Sequence, residues 1–164
     1  MKKKISIIIL VSLTFFSFEL PKNIKKRINK EIKTSFQVET FQLNSKSFSQ
    51  SITALLNSEF KKENFFEIMS SEELIGYAYL GKAPSKADMF DYLVLFDSNL
   101  IIKKTKVLIY REDYGGEIGS KRWLKQFLGK TKDDTLVYGD NIVAISGATI
   151  SVRSMTKAVN DLLK

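Results

Sequence analysis

Apolar residues recur every four positions at Ile24, Ile28, Ile32 and Phe36, one stripe through an otherwise basic segment. That spacing predicts a helix over 21–36, with Pro21 serving as its first position. The stripe suits a helix lying on a membrane surface and a helix packed on its own domain equally well. A second run, Ser47–Phe60, places Phe48, Ile52, Leu55, Leu56 and Phe60 on one helical face. Strand patterns follow. Phe65–Met69, Leu74–Leu80, Tyr92–Phe96 and Leu100–Tyr110 are rich in aromatic and β-branched residues. The turn residues of FDSNL, 96–100, predict a hairpin between the last two of these runs.

Beyond residue 110 the pattern breaks into shorter pieces. YREDYGGEIGS, 110–120, carries three glycines and reads as a loop. Ser120 is an N-cap for a short helix bearing Trp123, Leu124, Phe127 and Leu128, with Gly129 as its stop. By helical spacing, Trp123 and Phe127 are core residues. Thr135–Tyr138 and Ile142–Ile145 read as two short strands. Val152, Met155, Val159, Leu162 and Leu163 form a helical stripe over 151–164. The expected class is α+β: an antiparallel sheet flanked by helices, preceded by a hydrophobic N-terminal segment. Three regions are delimited: 1–20, the basic helix 21–36, and a domain over 37–164.

Composition narrows the chemistry. The 164 residues are 44% hydrophobic and 12% aromatic, enough for a core and too many for a disordered chain. There is no cysteine and no histidine. Disulfides, thiol nucleophiles, Cys/His zinc sites and imidazole general bases are therefore excluded. Any catalysis rests on carboxylates, lysine, tyrosine, hydroxyls or a borrowed cofactor.

The net charge of +8 is unevenly placed. Residues 21–35 hold six Lys/Arg against one Glu, a local +5, whereas 36–164 hold 17 basic and 16 acidic residues. The body is nearly neutral and no nucleic-acid motif occurs, so nucleic acid is not an expected partner. The basic excess adjoins MKKKISIIILVSLTFFSFEL, in which Ile5–Phe18 are 14 uncharged residues. That length matches the apolar core of a signal peptide and falls short of the ~20 residues of a full span. A signal peptide or a short membrane anchor is expected, with anionic headgroups as the natural partner of the adjoining lysines. The heavier basic flank lies downstream, which by the positive-inside rule would place the body in the cytoplasm.

The segment with the most specific chemistry is AISGATIS, 144–151. Ser146, Gly147, Ala148 and Thr149 join a strand-like run to a helix. A helix N-terminus offers unpaired N–H donors and a partial positive charge, a natural seat for phosphate. Gly147 and Ala148 leave room for a ligand at the backbone. Ser146, Thr149 and Ser151 supply hydroxyls, and Arg153 lies in the first turn. Arg111 and Lys121 are further cations. A plain N-cap explains a hydroxyl before a helix equally well.

SGAT followed by a helix resembles the signature of the FMN-binding domain family, which includes flavin domains of the Rnf complex and of the sodium-pumping NADH:quinone reductase. IGYAYLGKA (75–83), FDYLVLFDSNLIIKKTKVLIYRED (90–113) and the glycine loop 111–130 extend the likeness over about 72–164. In the loop, Glu112 and Gly115 match relatives while Asp113 and Tyr114 depart. The resemblance implies FMN attached by a phosphoester to Thr149, placed there by a separate flavin transferase using FAD. It implies ring contacts from Tyr110, Glu112, Tyr114, Gly115 and Gly116. It further implies electron transfer between membrane redox proteins and an extracytoplasmic, anchored or secreted bacterial protein. One position departs: the acidic residue usual three places before the motif's first hydroxyl is here Val143, the nearest acid being Asp140. Noncovalent FMN at the same helix end is the corresponding alternative, as in a small reductase, although no G-x-G-x-x-G occurs in a strand–turn–helix setting. A non-redox exported module that binds lipid or protein is a third.

Overall fold

A computed structural model describes residues 21–164. The expected signal or anchor over 1–20 lies outside the described residues. Five strands form one antiparallel meander in the order β1 (Gln42–Ser45), β2 (Phe65–Ser70), β3 (Glu73–Pro84), β4 (Met89–Asp97) and β5 (Ile102–Ile109). The register pairs Ala83 with Phe90 and Asp91 with Ile109. The FDSNL hairpin forms as expected: the Asp97 carboxylate accepts from the Asn99 and Ile101 N–H groups at 2.9 Å each.

Both faces of the sheet are covered. On one face lies α1 (Lys22–Phe36), whose Ile24, Ile28 and Ile32 are buried against Ile68, Ala78, Leu93, Leu95 and Leu108. The apolar stripe therefore packs on the domain, which decides between the two settings left open by its spacing. Burying each isoleucine contributes roughly 1.5–3 kcal/mol. The helix runs antiparallel to β5. Near its start Arg27 donates to the Leu108 carbonyl, in its middle Glu31 pairs with Lys104 and Lys106, and at its end the Phe36 ring lies beneath the Lys103 ammonium. Phe36 also fills the space beside Gly76, where a β-carbon would lie 2.7 Å from its ring.

On the other face α4 (Thr149–Leu163) buries Val152, Met155 and Val159 against Phe90, Tyr92, Val94 and Phe96. Alternation along β4 explains the two layers: Leu93 and Leu95 point to α1, and their even-numbered neighbours point to α4. Ser120 caps α3 (Lys121–Leu124) through the Trp123 N–H, and Gly129 ends that segment at φ +75°. Trp123 and Phe127 are core residues, with ring centroids 5.2 Å apart.

Two expectations fail. The helix over Ser47–Phe60 shrinks to α2 (Gln50–Thr53), and Leu55 is 82% exposed. The rings of Phe48 and Phe60 meet at 5.6 Å and both pack on Phe65. Twelve helical residues would hold them about 18 Å apart, so the aromatic cluster wins over helical spacing. Thr135–Tyr138 and Ile142–Ile145 are not strands; a single bridge joins Tyr138 and Ile142. Their polar backbone groups are satisfied locally instead. Asn141 accepts from Val137 N–H at 2.9 Å and donates to the Thr135 carbonyl at 2.8 Å, around a turn at Gly139. Strand β1, which has no clear alternation, was not expected.

Candidate functional site

The motif 146–149 forms the entry into α4. Gly147 adopts φ +79°, a conformation costly for other residues, and Ala148 is the residue before the first helical turn. Thr149 is the first helical residue, one place too late to cap. No side chain caps this helix. The first bond from the helix back to its entry, Val152 N–H to the Ala148 carbonyl at 2.9 Å, leaves the Thr149, Ile150 and Ser151 N–H groups ahead of it. Thr149, Ser146 and Gly147 are exposed, whereas Ala148 and Ser151 are buried. The plain N-cap reading of these hydroxyls is thus corrected: a capping hydroxyl must stand on the residue before the first turn, and alanine stands there.

The glycine loop folds against this entry. Gly115, also at φ +79°, comes so close that a β-carbon there would lie 2.9 Å from Tyr110 Oη and 3.0 Å from Ala148 Cβ. The Tyr110 hydroxyl shares a hydrogen bond of 2.9 Å with Ser151 Oγ. The end of β5, the loop and the start of α4 are therefore one packed unit. Space is open at two of its glycines: a β-carbon on Gly116 or Gly147 would meet nothing within 4 Å. Tyr114, at the loop tip, is exposed. Arg153, one turn into α4, stacks its guanidinium 4.8 Å from the Tyr138 ring centroid.

Other candidates are committed elsewhere. Glu112 accepts the Ala87 N–H at 2.7 Å, strapping the glycine loop to the 85–88 turn. Its hydrogen bond from Ser85, reinforced by the backbone N–H groups of that turn, holds its carboxyl below the usual range. Arg111 pairs with Asp91 and donates to the Met89 carbonyl at 2.5 Å. Lys121 lines a groove with Glu31, Lys104 and Lys106, on the α1 side. Neither of these two cations is brought to Thr149. The structure adds supports that sequence reasoning did not find. Trp123 Nε1–H donates to the Val143 carbonyl at 2.8 Å, and the Val143 N–H donates to Gln126 Oε1 at 2.7 Å. Ser154 Oγ–H donates to the Pro84 carbonyl, tying α4 to the end of β3. Spacing alone could not reveal these, because each joins segments distant in sequence.

The arrangement fits a flavin mononucleotide on two counts. An uncapped helix start with adjacent hydroxyls suits a phosphate. Exposed Tyr114, next to a loop in which Gly116 carries no crowding neighbour, leaves room for a flat ring. Residues 86–164 match the model of the FMN-binding domain. The match covers β4, β5, the glycine loop and α4, and begins after the 75–83 stretch. Among curated proteins none matches the chain. Over residues 86–164 the chain is similar to the FMN-binding domain family, and that match indicates FMN as its cofactor.

Proposed function

We propose that the domain is an electron carrier, holding FMN through its phosphate on Thr149 Oγ1 and passing electrons between membrane-associated redox partners outside the cytoplasm. The observation that carries this reading is the exposed Thr149 at an uncapped helix start with the glycine loop packed against it. Attachment would come from a flavin transferase: Thr149 Oγ1 bonds to the FMN phosphorus of FAD, AMP leaves, and the hydroxyl proton departs with it. Bound FMN supplies reversible one- and two-electron chemistry.

The chain's own residues hold and position. The leading N–H groups of α4 favour the phosphate oxygens through the helix dipole. Tyr110 fixes Ser151 and with it the first turn. Tyr114 and loop N–H groups such as those of Gly115 and Gly116 would hold the ring. A chain without histidine or cysteine suits this role, which needs no protein acid or base.

Flavin-loaded protein mixed with NADH tests the carrier reading against a stand-alone reductase. A carrier is reduced by dithionite and reoxidised, yet leaves NADH untouched. Steady NADH consumption by the purified protein would replace the carrier reading with the reductase.

A further inference from the structure

The two long helices lie on opposite faces of the sheet, yet both begin at the same end of it. The start of α4 is tied to Tyr110 at the end of β5 and, by Ser154, to Pro84 at the end of β3. The start of α1 reaches that same end, where Arg27 donates to the Leu108 carbonyl. A single groove of about 540 Å³ is bounded by Arg27, Leu108, Tyr110, Gly116 and Ser120, so α1 and the glycine loop share a wall. The opposite end of the sheet carries the β4–β5 hairpin, one β4 length away, or about 30 Å.

The uncharged run Ile5–Phe18 joins α1 through Glu19, Leu20 and Pro21 alone. Three extended residues span about 10 Å. A bilayer holding that run would therefore lie within about 10 Å of the α1 start. Lys22, Lys26, Lys30 and Lys33 are exposed along α1, while Glu31, the helix's one acid, is turned to Lys104 and Lys106. The outer face of α1 is thus more basic than its composition suggests. Its first turns stand where headgroups would be.

We propose that the flavin end of the domain docks on an anionic lipid surface, steered by the short link from residue 18 and held by Lys22 and Lys26. This rests on the membrane-associated reading given above. The docked pose would turn the glycine loop and Thr149 toward the bilayer and the β4–β5 hairpin away from it. The redox partner would then be met in the plane of the membrane.

Because the chain lacks cysteine, single labels are straightforward. The full chain carrying a fluorophore at Glu117→Cys or Ser98→Cys is reconstituted into vesicles of phosphatidylcholine, with or without phosphatidylglycerol. The vesicles contain a headgroup-nitroxide quencher. The expected result is strong quenching at position 117 and little at 98, greatest with phosphatidylglycerol. Lys22→Glu/Lys26→Glu should remove the phosphatidylglycerol-dependent part. Equal quenching at both positions, stronger quenching at 98, no vesicle association, or indifference to both lipid charge and the lysine reversals would each overturn the proposal. The readout needs no flavin. A docked but colourless protein would sink the electron-carrier reading alone, and a yellow protein without the asymmetry would sink the docking alone.

Discussion

Helices α1 and α4 are each 15 residues long, amphipathic, and seated on opposite faces of one sheet. Their buried faces differ in kind. That of α1 is three isoleucines with no polar atom. That of α4 includes Ser151 and Thr156, each 2% exposed. Both hydroxyls have partners: Ser151 shares a bond with Tyr110, and Thr156 donates to the Val152 carbonyl at 2.8 Å. The entries differ too. Neither start is capped by a side chain, but extended Pro21, expected as the first helical residue, stands one place before α1, whereas α4 opens through a left-handed glycine and an alanine. One helix fills a core. The other fills a core along its length and meets the glycine loop at its start, where hydroxyls stand beside leading N–H groups that suit a phosphate.

This contrast can be broken from either side. The largest effect is expected on the α1 face. Ile32→Ala removes a fully buried side chain and should cost about 2–5 kcal/mol in urea unfolding, while the folded fraction retains its flavin. Loss of flavin in parallel with folded protein would mean that the faces are not separable. Next is Gly115→Val, which must hold a positive φ and crowd Tyr110 and Ala148. A stability loss of at least about 1–2 kcal/mol is expected, here accompanied by weakened flavin retention measured by filtration and absorbance.

A smaller effect concerns the strap between Glu112 and the 85–88 turn. With its carboxyl held below the usual range, Glu112 contributes stability at and above the ordinary carboxylate range, lost as pH falls through its depressed value. The Ala87 amide resonance should follow that titration, with a midpoint below that of a free glutamate. A midpoint at or above the ordinary range would show the strap to be absent in solution. Smallest in stability is Val143→Asp. Val143 is 64% exposed, so the change should stay within about 0.5 kcal/mol. If an acid at this place aids the transferase, the flavinylated fraction rises, as read by intact mass.

The same contrast explains what the sequence disclosed. Helix α1 is legible to within a residue, because a strict four-residue stripe on a polar background marks one helical face, although what that face packs against is set by tertiary closure. β2 to β5 and the Asp97 turn follow from β-branched alternation and turn chemistry. Phe48 and Phe60 mislead, since their aromatic rings serve a cluster with Phe65 rather than a helix face. Residues 135–145 mislead because apolar content resembles a strand when side-chain amides do the bonding. In the candidate site, SGAT and the glycine loop stand out as local departures from packing rules. That Gly115 lies against Ala148, and Tyr110 against Ser151, depends on tertiary closure that no spacing encodes.

The central claim is that Thr149 carries the cofactor. The most direct measurement is the intact mass of the protein exported by a host that makes a flavin transferase, beside its Thr149→Ala variant. The account predicts a gain of one FMN less one water in the parent and none in the variant, with both equally stable. An unmodified yellow parent would move the flavin to a noncovalent site, and a parent both unmodified and colourless, or a variant that still gains the mass, would contradict the claim.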